Sequence, residues 1–286
     1  MKDGGLTRAR ARKVELATLA HDAEQKAPRA PETFCVLGNS FSLEKEHDYA
    51  LRFFKKACEV DDRFTYAFTL AGHEYVANED FDKAMTCYRT ALRIDPSHYN
   101  AWWGLGTIYF RQEKNDLAEQ HFRSAIGIHP TSSILWCFLG IVLHAQKRED
   151  DALQALERAG RLNPANPQVR FQRAHVLVAL SRLPEALVEL EAVRDVAPRE
   201  ASVHLMMGNI SKQIGQRDKA MYHFVSALDL EPKDAATVRA AIDQLVRLCA
   251  SCPGGTDRRT GRYDCRAHAR GRARVGRDAV VVVVTL

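Results

Sequence analysis

The sequence predicts an all-α fold, a solenoid of stacked helical hairpins. Two observations carry that prediction: a 34-residue internal repeat, and the helical spacing of apolar residues inside it. Counting from Pro31, the eighth position of each unit reads Gly38, Gly72, Gly106, Gly140, Ala174 and Gly208. The twentieth reads Ala50, Ala84, Ala118, Ala152, Ala186 and Ala220, a coincidence of roughly one in a million at ordinary alanine usage. Position 27 is Ala57, Ala91, Ala125, Ala159, Val193 and Ala227, and position 32 is Asp62 followed by Pro96, Pro130, Pro164, Pro198 and Pro232. Bulky residues fill the complementary slots: Phe34, Phe68, Trp102 and Trp136 at position 4, Phe41, Tyr75 and Tyr109 at position 11, Phe54, Tyr88, Phe122 and Phe224 at position 24. Apolar residues three and four apart make two amphipathic helices per unit, and the proline near each unit's end stops the second.

The elements follow in order. Residues 1–30 read as a partial preceding repeat or capping helix, apolar at Val14, Leu16, Leu19 and Ala20 and closed by Pro28 and Pro31. Six units follow at 31–64, 65–98, 99–132, 133–166, 167–200 and 201–234, read as one unbroken array. Residues 235–249 read as a final capping helix, apolar at Val238, Ala241, Ile242, Leu245 and Leu248. Beyond Ala250 the composition turns to Gly, Arg and Val without helical period, and a disordered basic tail is expected over 250–286. The repeat pattern resembles the tetratricopeptide repeat (TPR), and that resemblance implies a right-handed superhelix of hairpins. One hairpin alone cannot cover its apolar face, so neighbours must stack.

Composition limits the function. The formal charge of +5 comes from the tail, where eight arginines face Asp257, Asp264 and Asp278; residues 1–249 balance 33 basic against 33 acidic groups. No basic stripe runs along the repeats, so nucleic acid is not an expected partner. The valine run at 280–284 is too short to span a bilayer and no apolar leader opens the chain, so no membrane partner is expected. Cys35, Cys58, Cys87 and Cys137 occupy helical slots, the usage of small apolar residues in a reducing intracellular compartment. Cys249, Cys252, Cys265 and His268 have a C-x2-C-x12-C-x2-H spacing, but the residues between them offer almost no apolar support, so no metal or other cofactor is predicted.

No phosphate loop, nucleophile elbow or H-E-x-x-H pair occurs, and the eleven histidines lack ligand spacing, so the chain is not expected to be an enzyme. Function falls to the concave face, lined in such arrays by positions 2, 5, 9 and 12 of each first helix. Those are Glu32, Cys35, Asn39 and Ser42, then Tyr66, Thr69, His73 and Val76, then Asn100, Trp103, Thr107 and Phe110. The later units place Ile134, Cys137, Ile141 and His144, Gln168, Phe171, His175 and Val178, and Ser202, Leu205, Asn209 and Lys212 there. Amide and imidazole groups pair with peptide backbone or a terminal carboxylate, and an indole gives a platform for an aliphatic or guanidinium group. An extended peptide suits this mixture. The candidate peptide-binding residues are Asn39, Tyr66, His73, Glu74, Asn100, Trp103 and Thr107, with Glu74 one position beyond the lining set and open to a helix-packing role. Position 5 never carries a lysine, which disfavours a clamp for acidic chaperone tails.

Three stretches carry a closer resemblance: GNSFSLEKEHDYALRFFKKA (residues 38–57), GHEYV (72–76) and HYNAWWGLGTIYFRQEKNDLAEQHF (98–122). They resemble the TPR scaffold subunit of the anaphase-promoting complex, the third subunit of cell-division-cycle twenty-seven type, in its C-terminal TPR half. LGIVLHAQKREDDALQALERA (139–159) and GQRDKAMYHFVSALDLEPKDA (215–235) extend the likeness more weakly. The resemblance implies a non-catalytic scaffold of a ubiquitin ligase in nucleus and cytoplasm. Its partners would be other subunits of the complex and the C-terminal Ile-Arg tails of activator and core subunits, received in the TPR groove. Family members homodimerise through an N-terminal TPR half that this chain lacks, so the homodimer is in question here. The family's tail is acidic and serine-rich, whereas 258–277 is basic. A generic TPR adaptor serving a chaperone or trafficking pathway is the alternative.

Overall fold

Small residues at positions 8, 20 and 27 decide where helices touch, and bulky ones at position 24 decide what fills the gap. The computed structural model describes residues 4–230 and 235–250, with side chains described for 13–230 and 235–245. The expected disorder of the tail and the spacing of Cys249, Cys252, Cys265 and His268 therefore lie outside the described residues and side chains. Among the described residues the chain is an all-α TPR solenoid of fourteen helices without strands.

A single helix, α1 (Gly4–Lys26), precedes the repeats. The first helices of the six units are α2 (Pro31–Leu43), α4 (Thr65–Ala77), α6 (Tyr99–Arg111), α8 (Ser133–Ala145), α10 (Pro167–Ala179) and α12 (Ala201–Gln213). Each starts on the first residue of its counted unit. The second helices are α3 (His47–Val60), α5 (Phe81–Ile94), α7 (Asn115–Ile128), α9 (Glu149–Leu162), α11 (Leu183–Val196) and α13 (Arg217–Asp229), and α14 (Ala235–Ala250) follows. The chain divides into two compact units, one ending at Arg182 and one starting at Leu183. The division falls inside the fifth hairpin, between α10 and α11. That hairpin alone has Ala174 where the others have glycine, and Val193 where they have alanine.

In the first unit every first helix ends the same way. Lys45, Glu79, Glu113, Lys147 and Ser181 sit in the left-handed region with φ between 59 and 65°. The next amide then reaches five residues back, as in Glu46 N to Phe41 O at 3.0 Å and Asp80 N to Tyr75 O at 2.8 Å. This closing bond satisfies an end carbonyl that the helix leaves open. Four hairpins pack by a ring inserted into a hole, and in the fourth hairpin Leu156 takes that place under Gly140. A Cβ on Gly38 would stand 2.4 Å from the Phe54 ring, and one on Gly106 would stand 2.8 Å from the Phe122 ring. Tyr88 fills two holes at once, since a Cβ on Gly72 or Gly104 would meet its ring at 2.6 or 2.4 Å. Its neighbours Ala84, Ala91 and Ala101 are fully buried in the same core.

The periodic prolines do more than stop helices. The side chain at position 4 of the following unit donates to the proline carbonyl: Trp102 Nε1 to Pro96 O and Trp136 Nε1 to Pro130 O, both 2.9 Å, and Arg170 Nε to Pro164 O at 3.2 Å. Arg158 also lies 4.4 Å over the Trp136 ring. Trp136→Phe keeps a ring for Arg158 but loses the donor, so urea unfolding of this variant is expected to show about 1–2 kcal/mol lost. An unchanged midpoint would remove the bond from the account.

In the second unit, α12 and α13 repeat the insertion, with a Cβ on Gly208 meeting Phe224 at 2.7 Å. Ala220, Phe224, Ala227, Val238 and Leu245 form its core. Two buried imidazoles lie beside it. His204 Nε2 is 3.4 Å from Pro198 O and its Nδ1 is 3.4 Å from His223 Nδ1. This geometry assigns Nε2–H to His204, as donor to the carbonyl, and Nδ1–H to His223.

Candidate functional site

Position 9 is the middle of the proposed lining, and in the first unit of the chain it presents Asn39, His73, Thr107, Ile141 and His175, all half-buried. They come from α2, α4, α6, α8 and α10 in turn, because each helix restarts on the same register. Around His73 the row becomes aromatic. The rings of His73 and Trp103 meet edge to face at 5.5 Å, and Trp103 meets Phe138 in the same way at 5.5 Å. Phe138 in turn stacks on the core ring Phe122 at 5.6 Å. Phe171 and His175 form a further T-shaped pair at 4.7 Å.

His73 is held from behind. The Tyr88 hydroxyl lies 2.7 Å from its Nδ1. Burial, with the His98 imidazole second, pushes the His73 pKa down to about 4, so the ring is neutral at pH 7. Trp103 Nε1 is buried without a hydrogen-bond partner among the described residues, which costs about 1–3 kcal/mol. Asn39 and Asn100 stay half exposed, and neither has a side-chain hydrogen bond among the described residues.

The other sequence candidates take different places. Tyr66 is 43% exposed, with Phe64 beside its ring at 6.2 Å. Thr107 Oγ1 donates to Trp103 O at 3.0 Å and so steadies its own helix. Glu74 is buried, and its carboxylate accepts from Ser42 Oγ at 2.6 Å and pairs with His47 Nδ1 at 2.7 Å. It ties α4 to α2 and to the start of α3.

Position 5, counted with the lining from the sequence, is divided: Trp103, Phe171 and Leu205 are half-buried, and the other three belong to the packing. Cys35, Thr69 and Cys137 are only 2, 1 and 4% exposed. The Nε2 of His98, the residue that caps the start of α6, lies 3.4 Å from Thr69 Oγ1, so the entry to α6 covers this side of α4. Phe138, at position 6, is a site residue that the sequence pattern did not single out. Its signal is visible afterwards: position 6 is Gly104 in the preceding hairpin and an aromatic here.

Two shallow concavities lie away from this row. One of about 510 Å³ between α9 and α10 is lined by Glu157, Arg161, Arg170 and Arg173 among others. Another of about 630 Å³ is lined by Glu113, Asp116, Glu119, Gln146 and Arg148 among others, where Arg148 pairs with Glu119 and Asp151 at 3.1 and 2.7 Å. The described cysteines offer no ready nucleophile: burial pushes Cys35, Cys58 and Cys137 up to about 12 and Cys87 to about 11. No described helix is long and apolar enough to cross a membrane. Among the described residues no cluster of three His, Cys, Asp or Glu could hold a metal.

Comparison with known proteins places this geometry in a family. Protein bimA of Emericella nidulans is 49% identical over 57 residues, which are 20% of this chain and 7% of that protein. Anaphase-promoting complex subunit CDC27 of Saccharomyces cerevisiae is 45% identical over 58 residues, 20% of this chain and 8% of the relative. The human cell division cycle protein 27 homolog is 44% identical over 48 residues, 17% and 6% of the two chains. The aligned stretches thus span under a tenth of each relative.

Among solved structures, the anaphase-promoting complex hetero-tetramer Cut9-Hcn1 superposes with a TM-score of 0.74, covering 82% of this chain and 46% of that one. At 18% identity that likeness shows the fold alone. YrrB, described as a TPR protein with an unusual peptide-binding site, is 27% identical with a TM-score of 0.53 and covers 65% of this chain and 96% of its own. The resemblance to CDC27-type TPR subunits therefore holds over a fifth of the chain. Through residues 9–245 the sequence matches the family of the cilia and flagella-associated protein 70 C-terminal domain, and to that family the chain belongs.

Proposed function

We propose that this chain is a non-catalytic TPR scaffold of the anaphase-promoting complex ubiquitin ligase. In this reading its inner face grips the C-terminal Ile-Arg tails of activator and core subunits, in nucleus and cytoplasm, beside other subunits of the complex. The observation that carries the reading is the His73, Trp103 and Phe138 row, a chain of ring contacts flanked by the unengaged amides of Asn39 and Asn100. Apolar rings receive an aliphatic side chain, and amide and imidazole N–H groups receive a carboxylate.

Glu74 is already engaged by Ser42 and His47, so the guanidinium of the tail meets an aromatic face, that of Tyr66 or Trp103. The 44–49% identity to CDC27-type relatives supports the complex, and YrrB, described as a TPR protein with a peptide-binding site, supports a peptide as ligand. Fluorescence anisotropy with a labelled peptide ending in Ile-Arg tests it. Binding is expected to weaken at least tenfold when the peptide is amidated or its arginine becomes alanine, the loss of one charge-assisted contact being about 1.5–3 kcal/mol. Equal affinity for all three peptides contradicts the proposal.

A second reading has its own observation. The family match over residues 9–245 covers far more of the chain than any CDC27-type alignment. It favours a TPR adaptor in cilia or flagella that uses the same face for a different peptide, and a pull-down of activator subunits that returns nothing favours it over the first.

A further inference from the structure

Tyr88 differs from its equivalents Phe54, Phe122 and Phe224 by one hydroxyl. The residue is fully buried, and the hydroxyl has one partner among the described residues, His73 Nδ1 at 2.7 Å. Burial pushes the phenol pKa above its ordinary value, so the oxygen keeps its proton. A buried O–H needs an acceptor, and His73 Nδ1 is the one within reach. The imidazole must then carry its own proton on Nε2. That nitrogen makes no hydrogen bond among the described residues, and the His73 residue is half-buried, not sealed into the core. It lies in the ring that stands edge-on to Trp103 in the middle of the inner row.

We propose that Tyr88 is a positioning residue that fixes His73 as an Nε2–H donor, so that the inner face selects a ligand acceptor oxygen at this point and rejects a ligand N–H. The identity of the ligand rests on the peptide reading above; the fixed tautomer does not. Both a terminal carboxylate and a peptide carbonyl supply such an oxygen, and the three equivalent phenylalanines supply none of this control.

Histidine-selective nitrogen-15 NMR of the full chain at pH 7 tests the tautomer. His73 is expected to show an unprotonated Nδ1 and a protonated Nε2, and Tyr88→Phe, a residue the same slot holds in three other hairpins, is expected to mix the two forms while circular dichroism keeps its helical signal. A protonated Nδ1 in the unsubstituted chain overturns the proposal. Titration with the Ile-Arg peptide, as free acid and as amide, tests the donor. A shift of the Nε2 signal with the acid alone assigns the oxygen to the carboxylate, and a shift with both assigns it to a carbonyl; either supports the proposal. Tyr88→Phe is then expected to bind the free acid about threefold to tenfold more weakly. Binding that leaves the Nε2 signal unmoved overturns the donor role. A peptide that does not bind at all removes the ligand reading, while the tautomer measured without peptide still decides the lock. If Tyr88→Phe loses its helical signal, the tautomer and its response in the unsubstituted chain decide alone.

Discussion

Tyr88→Ala is expected to lower the unfolding free energy of the first unit by about 3–5 kcal/mol, the range for deleting a large buried ring. The ring is fully buried and stands where side chains of Gly72 and Gly104 would otherwise be, so its loss opens a cavity bounded by two helices that have nothing to move into it. The same variant leaves His73 Nδ1 without its donor. Gly104→Ala presses on the contact from the other side: its Cβ would stand 2.4 Å from a ring that has no room to withdraw, and about 1–3 kcal/mol is expected to be lost. Urea unfolding followed by circular dichroism measures both. A loss under 1 kcal/mol for Tyr88→Ala contradicts the ring-in-hole account of the repeat.

Acidification is expected to weaken both units through two histidines. His223 is pushed down to about 4 by burial first, then by His204, by Arg194 of α11 and by Lys219 of α13, and His73 is pushed down to about 4 by burial and His98. In the unfolded chain each takes up a proton near pH 6.5, whereas the native ring stays neutral until about pH 4. The unfolded state therefore binds more protons across that window. The stability tied to these rings is present above pH 6.5 and is lost as pH falls towards 4. Between pH 7.5 and pH 5 each contributes a loss of roughly 2 kcal/mol. His223 lies in the second unit and His73 in the first, so each unit has its own acid-sensitive ring. Urea midpoints at the two pH values measure the loss, and a flat profile contradicts the neutral, buried state assigned to both.

Much of the fold was legible because the repeat encodes sterics. A small residue at position 8 and a bulky one at position 24, a ring in four hairpins and Leu156 or Leu190 in the others, specify each other, so the register of all six hairpins followed from counting. What the count could not show was which side of each first helix the next unit covers. Positions 5 and 6 lie on either flank of position 9, and sequence spacing alone favours neither. Contacts from the following elements settle it helix by helix: His98 covers Thr69 at position 5 of α4, whereas Trp103 at position 5 of α6 stays in the row beside Phe138. Glu74 was left open between two roles for a related reason. Its partners are 32 and 27 residues away, and a carboxylate beside a candidate histidine looks the same in sequence whether it serves a ligand or a packing contact. The proline carbonyls likewise read as helix stops, although every position 4 residue that meets one carries an N–H: Trp102, Trp136, Arg170 and His204.

The central claim is that the row through His73, Trp103 and Phe138 receives another chain's free end. The three tryptophans test it within one spectrum, because Trp102 and Trp136 already donate to Pro96 and Pro130 while Trp103 Nε1 has no partner among the described residues. On titration of the full chain with the free-acid Ile-Arg peptide, the Trp103 indole N–H signal is expected to move to saturation while those of Trp102 and Trp136 stay in place. A peptide that binds while the Trp103 signal stays fixed contradicts the claim.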